Sequence, residues 1–431
     1  MTTGFSRRSL LEGAIGAVPF ARRARGARSG WELATFRADV TPSVGGSLFY
    51  AVTAVKIVDL LGARGLVLRG PAGTFVITVV DWCEIRNNSY DRWRTALAEA
   101  AGTSREKVLL TCVHQHDAPY TDRRAQELLT ENHVVERLCD TPFEDRMIRR
   151  VAEALRASLS HMRPVTQIGA GMARVEQVAS NRRYVLPDGR VSFERTSATR
   201  DPAIRALPEG LIDPWMRTLS FWNGEQALAA ISAYSTHPMS YYGKGEVSAD
   251  FPGMARAARQ QATPETLQIY ASGASGDTMA GKYNDGSHEN RPALAGRMRQ
   301  AMETAWNQTR RFPLEGVRFR NAALRMEPRR GPGFSEAELR ATLADPKAQR
   351  VARFEAALAL SWRERVAENR PIDVPALELA GGKKLAHLVL LPAESFVQYQ
   401  LWAQKARPDS FVVTAGFSEC APGYIPTAAD V

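Results

Sequence analysis

"KVLLTCVHQHDAPY", Lys107 to Tyr120, joins an apolar run to two histidines separated by a single residue. The run reads as a buried strand. Upstream lie two further strand-like runs, "GLVLRG" and "TFVITVVDW", and then a helical pattern from Tyr90 to Ala101. Strand alternating with helix predicts an α/β or α+β architecture with a mixed sheet. Side chains alternate along an extended chain, so His114 and His116 leave the strand end on one side. That placement suits a metal, and it equally suits a structural or substrate-binding pair.

The rest of the chain carries the same alternation. Helical patterns cover Asp122 to Leu138 and Glu144 to His161. "RTLSFW" and "QALAAISAYST" read as strands joined by the Asn-Gly turn "NGE". "LQIYASGASGD" is a strand running into a glycine-rich loop, followed by the helix "ALAGRMRQAMETAWNQ". Residues 335–370 predict a helical hairpin whose polarity suggests a peripheral insertion, and strands return at "LAHLVLLP" and "SFVVTAG". No repeat and no Pro-, Gly- or Ser-rich linker divides the body, so a single catalytic domain over residues 31–431 is expected.

Composition narrows the function classes. The 431 residues are 44% hydrophobic and 24% charged, as in a globular protein. Half of the formal net charge of +10 comes from residues 1–30, where six arginines face one glutamate. The remaining positive charge is dispersed and forms no basic stripe interleaved with aromatics, which argues against a nucleic-acid partner. In the first thirty residues Arg7 and Arg8 precede a short apolar run from Leu10 to Phe20, too short to span a bilayer. This pattern predicts a twin-arginine signal segment and an exported protein, periplasmic or secreted. No other run is long enough for a transmembrane span. Cys83, Cys112, Cys139 and Cys420 show no C-x-x-C spacing, so thiolates alone predict no zinc site.

Among seven histidines, His114, His116 and His237 stand at strand ends in polar, turn-rich surroundings. Pro238 ends the strand before it and leaves His237 at the sheet rim, where ligand sites gather. His133 and His161 fall on predicted helices as surface or packing residues, and His387 reads as structural. A hydrolytic zinc site takes three or four N and O ligands and keeps a position for water, so an acid at another strand end is needed. Glu394 in "LLPAESF" qualifies, and it equally reads as a first-turn acid of the next helix. "SGASGDTMAG" places Gly276 and Asp277 in a tight turn or against a substrate, and lacks the Walker spacing. Ser248 and Asp250 in "GEVSADFPGMARA" read as helix-capping residues or as second partners of a ligand histidine.

The stretches "ADVTPSVGG", "TCVHQHDAPY", "ASNRRY", "YSTHPMS", "VSADFPG", "SGASGDTMAG", "LPAESF" and "APGYIPT" occur in one order. In that order the sequence resembles the catalytic N-terminal domain of the neutral/alkaline non-lysosomal ceramidase family, and particularly bacterial exported proteins that carry this domain alone. The resemblance covers Ala38 to the last residue. It implies one Zn2+ per chain, held by His114, His237, Glu394 and Tyr424. It also implies a catalytic role for His116 beside the metal, hydrogen-bonding substrate or the attacking water, and for Arg182 near the reacting amide. The implied activity is hydrolysis of an N-acyl amide in a ceramide-like or other lipid-like small molecule.

The resemblance has two departures. Thr278 stands after Gly276-Asp277 where the ceramidases have a serine, so attack by activated water is expected rather than a serine nucleophile. The C-terminal β-sandwich of the ceramidases is not expected in this sequence. Two alternatives remain open: another metallohydrolase, or a non-catalytic exported relative that binds lipid or carbohydrate. The metallo-β-lactamase pattern H-x-H-x-D-H is broken, because Ala118 and Pro119 occupy its last two positions.

Overall fold

The computed structural model describes residues 30–186 and 188–430. The expected signal segment therefore lies, but for Gly30, outside the described residues. Three mixed sheets are built on one plan. In the first, Val108–Cys112, Gly73–Val80, Gly62–Gly70, Glu32–Asp39 and Arg163–Pro164 lie side by side. Only Gly73–Val80 and Val108–Cys112 run parallel. The second sheet orders Leu267–Ser272, Gln226–Tyr234, Trp215–Asn223, Gln167–Arg174 and Arg310–Pro313, with Gln226–Tyr234 parallel to Leu267–Ser272. The third orders Gly316–Leu324, Ile372–Gly381, Lys384–Leu390 and Phe411–Ala415, with the last two parallel. This is the mixed-sheet α/β class that the sequence predicts.

Parallel neighbours need a crossover, and each sheet supplies one helix for it. Asn87–Ala101, Asp250–Ala262 and Val397–Ala406 make the three connections. The period of two in the strands explains the layering. Leu66, Leu68, Phe75 and Ile77 face a core shared with the other two sheets. Val67, Val76, Val108 and Leu110 face the opposite way, onto Asn87–Ala101 and Thr141–Ser158. With both faces covered, these strands read as unbroken apolar runs rather than alternating ones. Each such side chain removed from water contributes about 1.5–3 kcal/mol.

Local chemistry shifts several helix ends from the expected positions. The helix expected over residues 122–138 is Arg123–Glu131. It stops because the Asn132 side chain donates to the Leu128 carbonyl and His133 turns left-handed at φ 56°. The helix expected from Glu144 begins at Thr141, where the Asp140 carboxylate accepts from the Phe143 amide with Pro142 in the first turn, and it ends at Ser158. His133 thus follows its helix, while His161 closes the 3-10 turn Leu159–His161 that extends the second. Residues 335–370 form the helices Glu336–Ala344 and Arg350–Ala367. Leu339, Leu343, Phe354 and Leu360 pack there on Leu128 and Leu129, so the hairpin buries a full apolar face. The four cysteines are buried and free, and no helix among the described residues is long and apolar enough to cross a membrane.

Candidate metal centre

Each βαβ unit delivers side chains to one place, just beyond the C-terminal ends of its parallel strands, where open sheets bind ligands. The first sheet contributes Cys83 and His114, the second His237 and the Ser275 turn, and the third Glu394 and Phe417. One donor atom from each of His114, His237 and Glu394 lies within 4.8 Å of the others. All three residues are buried.

Backbone carbonyls fix both imidazoles. His114 Nδ1 is 3.0 Å from the Cys83 carbonyl, and His237 Nδ1 is 2.5 Å from the Ser275 carbonyl. A carbonyl only accepts, so each Nδ1 carries a proton, and in the neutral ring each Nε2 presents a lone pair. Those lone pairs face one carboxylate oxygen, Glu394 Oε2, at 3.7 Å from His114 and 3.1 Å from His237. Three acceptors converging in a buried site repel one another unless a cation lies between them. Donors bound about 2.0–2.1 Å from one tetrahedral ion stand roughly 3.3 Å apart, so the spacing fits such an ion. Burial and the neighbouring histidines push the His114 pKa well down, and burial followed by His237 pushes His116 to about 3. Both rings are therefore neutral and able to accept.

The backbone around the site is strained. His114 has φ 73°, Ala393 φ 48° and Phe417 φ 56°, all left-handed without being glycine. Glu394–Ser395 forms a short parallel ladder with Tyr424–Ile425, placing Glu394 opposite Tyr424. Burial of the hydroxyl end, and then the Glu394 carboxylate, raise the Tyr424 phenol, although half of the residue's surface is exposed. Arg182 Nη1 donates to Tyr424 Oη at 3.2 Å, and its guanidinium lies 5.5 Å from the ring centroid.

The structure brings together most of the residues singled out from sequence. His116 is adjacent, its ring centroid 5.1 Å from that of His114 and 6.3 Å from that of His237, between Phe49 and Tyr242. Gly276 is required by a close approach: a Cβ there would lie 2.1 Å from the Glu394 carbonyl oxygen. Asp277 accepts from the Val397 amide and the Asn181 side chain, both at 2.7 Å, tying the segments that carry Glu394 and Arg182. Ser248 and Asp250 stand apart. Ser248 donates to Asp59, while Asp250 accepts from the Ser240 amide with Arg291 3.6 Å away.

Sequence reasoning missed the Cys83 and Ser275 carbonyls, because a backbone acceptor has no residue-type signature. It also missed Phe417, whose ring stacks on His114 and carries no motif of its own. Glu84, which opens the two-residue strand Glu84–Ile85 and has Oε1 3.7 Å from His114 Nδ1, was missed as well; burial raises its pKa to about 7 against the pull of Arg86. Beyond Tyr424 opens a cavity of about 800 Å3, walled by Leu339, Leu358, Trp362 and Phe334 from the helical hairpin side and by Tyr424 and Arg86 from the other.

Comparison with known proteins gives a likeness of fold. Solved structures similar to this chain include neutral ceramidase from Pseudomonas aeruginosa, at TM-score 0.64 and 17% identity, covering 92% of this chain and 69% of that one. A ceramidase complexed with C2 matches at TM-score 0.64 and 16% identity, covering 92% and 70%. No model of a known protein family and no curated protein sequence matches the chain.

Proposed function

We propose that this protein is a zinc-dependent, ceramidase-like hydrolase that cleaves the amide of an N-acyl, lipid-like small molecule. The observation that carries the reading is the convergence of two histidine lone pairs on the Glu394 carboxylate, with the Tyr424 hydroxyl beside them. The likeness to ceramidase structures over nine-tenths of the chain supports it.

In this reading His114, His237, Glu394 and Tyr424 hold one ion. Zinc, when bound, supplies Lewis acidity toward an amide carbonyl and toward water. His116, a neutral imidazole, accepts a proton or a substrate hydrogen bond at one ring nitrogen. Arg182 keeps the Tyr424 oxygen in place and turns its remaining donors toward the substrate carbonyl. The cavity beyond Tyr424 is of a size that suits a ligand, and its apolar wall receives the acyl part. Read as an export signal, the Arg7-Arg8 segment would direct the protein to the periplasm or the medium.

The test is metal analysis of the purified chain, then a screen of N-acyl amides with and without chelator. About one zinc per chain and chelator-sensitive release of fatty acid are expected. A metal-free protein that binds lipid without turnover would overturn the reading in favour of a binding role.

A further inference from the structure

The Cys83 thiol has no part in the centre above, and His116 uses at most one of its ring nitrogens there. Neither ring nitrogen of His116 has a hydrogen-bond partner among the described residues, although both atoms are buried. A contact to substrate would use one and leave the other unexplained. The Cys83 thiol is fully buried and stands 3.9 Å from His114 Nδ1. Donor atoms of Cys83, His114 and His116 all lie within 4.8 Å of one another. Glu84 Oε1 is 3.7 Å from the same Nδ1, and Arg86 is 2.5 Å from its other oxygen.

A sulfur and two imidazoles form a softer set than the two imidazoles and oxygens of the first centre, and such a set selects soft or borderline cations. We propose that Cys83, His114 and His116 form a second metal position, specific for a soft divalent cation such as Cd2+, or for Zn2+ in excess, which silences the enzyme. Binding forms a sulfur–metal bond and a bond from His114 Nδ1; the thiol proton passes to solvent, and the Nδ1 proton moves to Nε2, which removes that lone pair from the first centre. The ring is thereby drawn from the Cys83 carbonyl that aims its Nε2 at Glu394. His116 is partly exposed beside Tyr242, and the cation enters there. The silencing rests on the function proposed above; the binding does not.

The experiment adds CdCl2 to the zinc-loaded protein and follows the ultraviolet thiolate-to-cadmium charge-transfer band together with bound metal. Wild type and the control Cys112→Ser should show the band, saturating at one added ion per chain. Cys83→Ser should lack it, and His116→Ala should weaken cadmium binding by more than the roughly 10 to 100-fold that loss of a ligand's neighbour costs, while retaining the thiol. The second variant keeps the test decisive should the first fail to fold. A full band in Cys83→Ser, unchanged affinity in His116→Ala, or no band in wild type would each overturn the inference. Failure of the first centre would show separately, as absence of zinc before cadmium is added.

Discussion

The imidazole of His114 lies flat on the ring of Phe417, centroids 4.1 Å apart and planes 13° from parallel, and both residues hold left-handed backbones. The stack and the Cys83 carbonyl fix the ring on two sides. Phe417→Leu keeps an apolar contact and costs less than the about 3–5 kcal/mol of a Phe→Ala cut. It should nevertheless weaken metal retention roughly tenfold, as losses around a ligand histidine do. Competition with a chromogenic chelator measures this, and unchanged affinity would show the stack to be idle.

His114→Ala and His237→Ala should abolish both metal retention and hydrolysis, since each removes a lone pair facing Glu394. His116→Ala should retain most of the first metal and lose rate. Atomic emission on dialysed protein separates the cases; equal loss in all three would mean that His116 is itself a ligand.

Tyr424→Phe removes one oxygen and leaves the ring beneath the Arg182 guanidinium. Zinc retention should fall and the pH–rate profile should shift, because a phenol raised by burial and by Glu394 binds only where a cation favours its phenolate. Native metal content and native rate at every pH would leave His114, His237 and Glu394 as the whole ligand set.

Stability should fall as pH rises from about 4.5 to 7, and Glu419 is one cause. Burial raises its folded pKa to about 7 despite Arg365, so over that window the folded state keeps a proton that the unfolded state has lost. Stability from this group is complete below the unfolded pKa and disappears as pH passes the folded one, by at most about 3 kcal/mol. Glu419→Gln should flatten that part of the denaturation midpoint plotted against pH. A parallel curve would assign the dependence elsewhere.

Replacing Arg7 and Arg8 together by Lys should strand the protein in the cytoplasm, since lysine lacks the guanidinium fork. Fractionation of expressing cells reads the outcome, and undiminished export would remove the signal assignment.

Much of this molecule is legible in local pattern. The Asn223-Gly224 turn joins Trp215–Asn223 to Gln226–Tyr234, and the strand ends at His114, His237 and Glu394 follow from apolar runs meeting polar turns. Helix ends depended on single side chains: Asp140 as an early cap and Asn132 as an early stop. The gathering of three sheet rims is a matter of long-range packing, which periodicity does not encode. It was reached from sequence only through the ordered motifs of a family resemblance. The carbonyls of Cys83 and Ser275, and the ring of Phe417, became visible only once those rims were together.

Ala393 sits left-handed immediately before Glu394, at φ 48°, where glycine would rest without strain. Heat resistance and turnover therefore pull this codon in opposite directions. A library screened only for survival at high temperature would enrich glycine here, relieving about 1 kcal/mol or more of backbone strain. The same library screened for hydrolysis would retain alanine, because a freer hinge lets the carboxylate wander. Sequencing the two enriched pools at position 393 would show how much thermal tolerance is traded for an ordered acid.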